Sequence, residues 1–311
     1  MKRWLGPAVG LLLAAAAAWA LSRFVSGLSW SQVVTALGRL GPGSYGLLAL
    51  LPVVSIALFA VLDRHHARHL GHRVPWITAL VGVTCAQGIS LNIGNSLVMG
   101  GAVRLRVYGA VGLPWFKAAM LSALNFLAVN FGVVTLAGIG WWVAPTSPEA
   151  VGRVLASVGV LAGMGWMVLS VVHDPLVGRT PFLTRFLGTM PSPRLAAGGL
   201  MIGALEKGLV AAVLLVLLPD LGVDTWSILS AFLAAIVVGK WSQVPGGLGV
   251  IEAAFLSLLP VTPKGDVLAA VVAAFIAFRI AYYLLPLLAA GSLLLLGEAR
   301  GWRGLPRITT P

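Results

Sequence analysis

The sequence is poor in charged residues and in interruptions to its hydrophobic runs. Of its 311 residues only 10% are charged and 59% are hydrophobic, with a mean hydropathy of +0.97. A water-soluble domain needs more charge on its surface, so this composition excludes a soluble globular protein. We expect an integral membrane protein.

Acidic residues and cysteine are also scarce. Nine acidic residues stand against 21 lysines and arginines, which gives a net charge of +12. The basic residues lie between hydrophobic runs rather than in a stripe on a soluble domain, so we expect no nucleic-acid partner. The single cysteine, Cys85, has no partner for an intrachain disulfide, so cysteine content does not distinguish an oxidising from a reducing compartment.

The sequence lacks the motifs of nucleotide-driven proteins and of nucleophilic enzymes. Residues 239–242, GKWS, lack the upstream glycines of a phosphate-binding loop. The histidines of DRHHARHLGHR, residues 63–73, could share a helical face, but a zinc site needs further ligands. We therefore expect no cofactor, no metal and no enzyme activity, and a basic surface that contacts anionic lipid.

Long hydrophobic runs dominate the chain. The run 5–21 follows two basic residues and is expected to be a retained helix, with a cleaved signal peptide as the alternative. Residues 28–40 carry an amphipathic pattern typical of a helix along the membrane interface. Each further run approaches or exceeds the ~20 residues that cross a bilayer; these are 43–62, 76–98, 114–144, 150–172, 194–218, 226–259 and 266–296. We predict one membrane domain over 1–311.

The distribution of positive charge argues against eight simple crossings. Eight spans would leave nine lysines and arginines on each side of the membrane. If 76–113 and 226–259 enter the membrane and return to the same side, fourteen lie inside and four outside. This asymmetry follows the positive-inside rule, so we predict two re-entrant helical hairpins and cytoplasmic N- and C-termini.

The chemistry of both predicted turns fits this arrangement. Residues 85–101, CAQGISLNIGNSLVMGG, hold polar amides and glycines, and residues 243–252 read QVPGGLGVIE. Broken backbone at membrane depth persists only inside protein or beside a wet cavity. We predict unpaired backbone N–H groups there that bind a polar group, with a kinked buried helix as the alternative.

The two halves of the chain repeat one order of elements. Residues 43–144 and 194–296 each run helix, re-entrant hairpin, helix, and they start from opposite sides of the membrane. Inverted-topology repeats of this kind are the usual basis of alternating access, with the substrate site where the broken helices meet.

Several polar residues and glycines in these halves carry a family resemblance. They are Gly100, Gly101, Arg104 and Tyr108 with Gly112, then Glu206, then Pro245, Gly246, Gly247, Gly249 and Glu252, and finally Arg279, Tyr282 and Tyr283 with Pro286. In order and spacing the chain resembles the lysylphosphatidylglycerol synthase transmembrane-region family over nearly its whole length. This is the flippase-like half of the multiple peptide resistance factor and its stand-alone relatives. By the same resemblance, Asp63 matches a functional aspartate.

The resemblance implies an all-α polytopic membrane bundle that moves an anionic or aminoacylated phospholipid between leaflets of a bacterial inner membrane. The family's synthase domain is expected to be absent, because the chain ends at GEARGWRGLPRITTP. A separately encoded lipid-modifying enzyme is then an expected partner, and a homo-oligomer is compatible with this reading. The alternative function is a membrane-embedded enzyme or accessory subunit that binds a polyprenyl-phosphate-linked substrate.

The charged residues within the spans are candidates for the substrate site. Glu206 and Arg279 lie near the midplane of their runs, where an isolated charge costs at least ~2.5 kcal/mol, so we predict that they pair. Lys207 is predicted to point away from Glu206.

Lys240 and Glu252 flank the second predicted turn, and we predict that they form a structural bridge across it, with a gate as the alternative. Arg104 follows a glycine pair expected to expose backbone amides, and its planar fork suits phosphate oxygens. Asp63 lies at the end of its run, and a helix C-terminus disfavours a carboxylate, so we expect a cation nearby. We predict a lipid-phosphate site formed by residues 100–104 and 245–249.

Overall fold

The computed structural model describes residues 30–93, 96–145, 151–177 and 192–310. The predicted first helix at 5–21, the turn residues 94–95 and the segment 178–191 lie outside these residues. The described chain forms eleven α-helices, which confirms the all-α prediction. In order they are α1 (Trp30–Gly38), α2 (Pro42–His69), α3 (Trp76–Ile93), α4 (Ser96–Ala110), α5 (Trp115–Val143), α6 (Val151–Val177), α7 (Pro193–Leu217), α8 (Thr225–Trp241), α9 (Val250–Leu258), α10 (Gly265–Arg279) and α11 (Leu285–Arg300).

Within the described ranges, five helical segments are long and apolar enough to cross a membrane. They are Pro42–His69, Trp76–Ile93, Trp115–Val143, Pro193–Leu217 and Gly265–Arg300. Large apolar side chains cover their outer surfaces, as expected where the solvent is lipid; examples are Val53, Met201, Leu205, Leu288 and Leu295. The protein is therefore a membrane protein.

Helix α2 extends beyond the predicted run 43–62 and ends only at His69. Residues 63–69 contain no glycine or proline, and the first helix-breaking residue, Gly71, has a positive φ of 75°. Asp63 therefore lies inside the helix rather than at its end. This extension carries Asp63 and His66 into the protein interior, where both are buried.

The predicted hairpin at 76–113 is a pair of packed helices, α3 and α4. The C-terminal segment joins both of its ends: Ile308 N–H donates to the carbonyl of Val111, and Arg73 and Thr309 form an isolated bridge. The start of α3 and the end of α4 therefore lie together at one end of the protein. A re-entrant hairpin requires this arrangement; that its turn lies within the bilayer stays a prediction.

The second hairpin is asymmetric. Helix α8 has 17 residues, whereas α9 has only nine, and a short 3₁₀ turn over Pro245–Gly247 lies between them. Gly246, Gly247 and Gly249 all have positive φ, a conformation that glycine adopts without steric cost. The predicted break is thus present between the two helices.

The last predicted run, 266–296, consists of two helices joined by a π-helical turn over Ile280–Leu284. Such turns widen a helix locally and are frequent at functional sites. Here the turn carries Tyr282 and Tyr283 into the interior, where both are buried.

The two halves pack in corresponding ways. Helix α3 of the first hairpin packs along α11, and α8 of the second hairpin packs along α5. Each hairpin therefore packs against the last span of the other half. Helices α2 and α7, which begin the halves, also pack against each other. The matching contacts fit a repeat, and its inverted orientation in the membrane stays a prediction. Helix α1 packs against α10 through Ala36 and Ala273.

Candidate functional site

A cavity of about 100 Å³ lies between the two hairpins, with polar and cationic side chains among a largely apolar lining. A single water needs roughly 15 Å³, so the cavity can hold several waters or a small polar group. Three cationic side chains line it, from α4, α7 and α8, together with the glycine turn and a tyrosine of the π-helical turn. These lining residues are Arg104, Lys207, Lys240, Gly246, Gly247 and Tyr283.

Asp63 is the centre of a buried cluster on one side of this cavity. Arg104 donates two hydrogen bonds to its carboxylate, Nε to Oδ2 and Nη2 to Oδ1, each 3.0 Å long. Tyr108 donates to Oδ2 at 2.6 Å, and Asn125 donates to Oδ1. The predicted cation beside Asp63 is thereby confirmed. His66 Nδ1 contacts Asn125 Oδ1 and extends the cluster.

Two glycines make room for the Asp63 cluster. A Cβ atom on Gly82 would lie 2.1 Å from Cε1 of Tyr108, so the tyrosine ring occupies the space of the missing side chain. A Cβ on Gly100 would lie 3.3 Å from Nη1 of Arg104. Gly100 and Gly101 lie inside α4, so the prediction that they expose backbone amides is wrong. Within a helix these amides bond to the preceding turn.

Glu206 forms the second buried cluster, and its partners differ from the predicted one. Ser55 and Tyr282 donate to Oε1 at 2.6 and 2.7 Å. Oε2 lies 2.9 Å from Nζ of Lys207, a close charge contact although its angle is not that of a hydrogen bond. Lys207 also donates to the Tyr282 hydroxyl at 2.9 Å. The predictions that Glu206 pairs with Arg279 and that Lys207 points away are both wrong, because a lysine side chain is long enough to turn back.

Arg279 instead pairs with Glu252 and braces the glycine turn. Its Nε and Nη2 contact the two oxygens of Glu252 at 2.6 and 3.0 Å. Nη1 donates to the carbonyl of Gly246 at 2.9 Å, and Nη2 donates to that of Gly247 at 3.2 Å. One guanidinium thus joins the end of α10, the turn and α9. The predicted bridge between Lys240 and Glu252 is wrong, since Arg279 occupies the carboxylate.

Three backbone N–H groups of the turn are bonded within the protein. Gly247 donates to the carbonyl of Val244, Leu248 donates to that of Pro245, and Gly249 donates to Oε2 of Glu252 at 2.9 Å. Glu252 lies in the first turn of α9 and caps it as in a capping box. The predicted unpaired amides are therefore not found at these three positions.

Close packing explains the glycine at 247. A Cβ on Gly247 would lie 2.9 Å from Cδ1 of Ile251, and one on Gly239 would lie 2.3 Å from Cγ1 of the same residue. The Cα of Gly239 would also be 3.3 Å from the Gly247 Cβ. These two glycines let α8, the turn and α9 approach each other beside the cavity.

Lys240 differs from the other cations of the cavity. Its Nζ lies 4.4 Å from the centre of the Phe126 ring, and no ion pair joins it to a carboxylate of the described residues. By contrast, Arg104 and Lys207 each contact a buried carboxylate. Lys240 is thus the cavity cation without an anionic partner in the described part of the chain.

The structure gathers most predicted site residues around one cavity. Arg104, Lys240, Gly246, Gly247 and Tyr283 line it, while Asp63, Tyr108, Glu206, Glu252 and Arg279 form the clusters that hold the lining or the turn. Gly249 adopts a positive φ, Gly100 leaves space for the Arg104 side chain, and Pro245 begins the 3₁₀ turn. A Cβ on Gly101 would make only ordinary contacts with Ser122.

Sequence reasoning missed several members of the site. The helical angle of Lys207 does not predict its contact with Glu206, and Asn125 lies inside the predicted span 114–144. Ser55 completes the Glu206 cluster together with Tyr282, which the family resemblance includes. Polar residues within an apolar span were the available signal for Asn125 and Ser55, because such groups need partners at membrane depth.

The histidines after Asp63 have separate contacts. His65 Nε2 approaches the carbonyl of Leu195 at 3.3 Å, and His72 Nδ1 approaches that of Leu70 at 2.9 Å. Across the described ranges, no three histidine, cysteine or acidic side chains converge as a metal site would require. The absence of a metal stays an expectation.

The chain is similar to two curated bacterial proteins. It is 26% identical over 255 residues to the inner membrane protein YbhN of Escherichia coli K12, covering 77% of this chain and 76% of that protein. It is 28% identical over 293 residues to the uncharacterized protein slr0712 of Synechocystis, covering 90% and 87%. No family model matches the chain. Its helices and the similarity to an inner membrane protein together identify it as a polytopic membrane protein.

Proposed function

We propose that this protein binds the phosphate of an anionic or aminoacylated phospholipid in the cavity between its hairpins and moves the lipid between leaflets. The observation that carries the proposal is the convergence of Arg104, Lys207 and Lys240 on one cavity, to whose lining all five membrane-capable segments contribute. Charged residues inside a membrane are costly, and they commonly mark a substrate pathway.

A phosphate suits these three side chains. Arginine and lysine both form strong charge-assisted hydrogen bonds to phosphate oxygens, and arginine adds a planar fork. The amides of Gly247, Leu248 and Gly249 are occupied, so we assign the main attraction to the cations rather than to these amides. The proposed site keeps its predicted location, but side-chain cations rather than backbone amides bind the phosphate.

The arrangement of the hairpins supports movement of the bound lipid. Each hairpin packs on the last span of the other half, and the cavity lies between them. A rocking motion of one half against the other would expose such a cavity alternately to the two sides. The ion pairs around Asp63 and Glu206 would hold the lining in either state.

The site of action we propose is a bacterial inner membrane. The similarity to YbhN, an inner membrane protein, supports this location. We also propose that the protein is a transporter rather than an enzyme, and that a separately encoded enzyme supplies any modified lipid. A polyprenyl-phosphate-binding accessory protein would use the same cations without moving its ligand.

Leaflet-resolved transport in proteoliposomes tests the proposal. The purified chain is reconstituted with acyl-labelled phospholipids, and the label in the outer leaflet is bleached chemically. We expect the wild-type protein to raise the bleached fraction above the plateau of protein-free liposomes. Binding of labelled polyprenyl phosphate without movement of any lipid would instead favour the accessory role, and a plateau equal to that of empty liposomes would contradict transport.

A further inference from the structure

We infer that the cavity selects a headgroup with one net negative charge and no ammonium group, namely a phosphodiester such as that of phosphatidylglycerol. The inference rests on the proposed function and narrows its substrate from two lipid classes to one. An aminoacylated phospholipid carries ammonium groups that need a carboxylate or an aromatic face. The described residues offer neither in free form.

The carboxylate of Asp63 is already saturated. Its two oxygens accept four hydrogen bonds, two from Arg104 and one each from Tyr108 and Asn125. The side chain is fully buried, at 0% exposure. A ligand ammonium cannot reach this group without displacing the arginine.

The other two carboxylates near the cavity are also engaged. Glu206 is 1% exposed, with Oε1 bonded to two hydroxyl groups and Oε2 against Lys207. Glu252 accepts two hydrogen bonds from Arg279 and one from the amide of Gly249. Each acid therefore has a cation of the protein as its partner.

The aromatic faces beside the cavity are occupied as well. Lys240 lies over the ring of Phe126, at 4.4 Å, and Lys207 lies 5.5 Å from the centre of the Phe59 ring. Arg279 lies 5.1 Å from the centre of the Tyr283 ring. These cations take the positions that a ligand ammonium would need for a cation–π contact.

Lys240 is consequently the cavity cation whose ammonium form has no carboxylate partner among the described residues. Arg104, Lys207 and Arg279 are each matched by a carboxylate, and Lys240 is not. A ligand with one negative charge would pair with the Lys240 ammonium, whereas a phosphomonoester adds up to a second charge without a partner. Lys240 would contact the phosphate directly, with Arg104 and Lys207 at its sides.

A comparison of four labelled lipids tests this selectivity in wild-type proteoliposomes. Phosphatidylglycerol should move at least about tenfold faster than lysylphosphatidylglycerol or phosphatidylethanolamine, and faster than phosphatidic acid. Excess inorganic phosphate should not slow it. Equal or faster movement of either ammonium-bearing lipid would overturn the inference while leaving lipid transport intact. Block by inorganic phosphate, or faster movement of phosphatidic acid, would overturn the assignment of a phosphodiester.

Variants of Lys240 sharpen the test. Lys240→Gln should slow phosphatidylglycerol at least about tenfold, and Lys240→Arg should retain most of the rate. Lys240→Glu should reverse the preference towards lysylphosphatidylglycerol, a result that a loss of folding cannot produce. Lys264→Gln removes the same charge from an exposed position before α10 and should leave the rate unchanged. Unaltered selectivity in Lys240→Gln and Lys240→Glu would contradict the role of Lys240.

If no phospholipid moves in any preparation, the proposed function fails rather than its selectivity. Thermal unfolding in detergent then tests lipid binding separately from lipid transport. Short-chain phosphatidylglycerol should raise the unfolding temperature of the wild-type protein by mass action and that of Lys240→Gln by less. Equal stabilisation of both proteins would contradict the assigned contact.

Discussion

Asp63 shows how single residues define the interior of this protein. It lies in a helix that the hydrophobic pattern ends one residue earlier, and it is completely buried. A buried charge of this kind persists only with a partner and with hydrogen bonds to its remaining lone pairs. Arg104, Tyr108 and Asn125 supply them from two other helices.

A double-mutant cycle of Asp63 and Arg104 measures this pairing. Asp63→Asn and Arg104→Gln should each lower the free energy of unfolding by about 3 to 5 kcal/mol, because each leaves a buried charge unpaired. The double variant should lose clearly less than the sum. The measurement is reversible unfolding of the purified protein in detergent.

Arg106 and Glu298 provide the matched control for this cycle. They also form a two-bonded arginine–carboxylate pair, but at exposed positions. Their coupling should be clearly weaker than that of Asp63 and Arg104, since water screens exposed pairs. Equal coupling in the two cycles, or additive losses at Asp63 and Arg104, would refute the buried pair.

At the scale of helices, the sequence predicted the bounds of two membrane spans well, but it predicted the partners of the buried charged residues poorly. The runs 114–144 and 194–218 differ by one residue at either end from Trp115–Val143 and Pro193–Leu217. Bilayer length and hydropathy fix such elements locally. The partners of Glu206 and Arg279 depend on how four separate segments pack, and no spacing along the chain encodes that.

The glycine turn shows the same contrast between a predictable position and unpredicted contacts. Its position follows from Pro245 and three glycines, which exclude a continuous helix. Its amides were expected to be free, yet a carboxylate one turn into α9 accepts one of them and the turn itself bonds two more. Arg279 then fixes the turn through two carbonyls.

Replacement of Arg279 by lysine should loosen this turn. Lysine keeps the charge but cannot contact Glu252 and both carbonyls at once. The loss of a charge-assisted hydrogen bond, about 1.5 to 3 kcal/mol, should accelerate exchange of the amides at 247–249 roughly tenfold or more. Hydrogen–deuterium exchange of the detergent-solubilised protein measures the change.

Arg300→Lys is the control for this substitution, because Arg300 is exposed at the end of α11. It should leave exchange at 247–249 unaltered. Wild-type exchange rates in Arg279→Lys would show that the turn is rigid without its arginine brace.

At the scale of the whole molecule, the C-terminal segment ties the ends of the first hairpin together. Ile308 and Thr309 bond to Val111 and Arg73, and Thr78 donates to the carbonyl of Pro306 at 2.7 Å. The loop before α3, the end of α4 and the C-terminus thus share one side, which agrees with the charge distribution of the sequence.

Cysteine accessibility tests this topology. In a Cys85→Ala background, Arg106→Cys and Arg303→Cys should react with an impermeant maleimide only from the cytoplasmic side. Lys264→Cys should react only from the opposite side. All three positions are exposed in the structure. Reaction of Arg106→Cys from the same side as Lys264→Cys would restore eight simple crossings.

The cations of the cavity are proposed to bind the phosphate of a lipid that crosses the membrane. Substitution of Arg104 tests this proposal most directly. Transport of acyl-labelled phosphatidylglycerol is compared for the wild type, Arg104→Lys and Arg106→Lys in proteoliposomes of equal protein content. Arg104→Lys should slow transport roughly tenfold or more, through loss of a charge-assisted bond at the cavity, while the exposed Arg106→Lys stays at the wild-type rate. Wild-type transport by a correctly folded Arg104→Lys protein would contradict the claim.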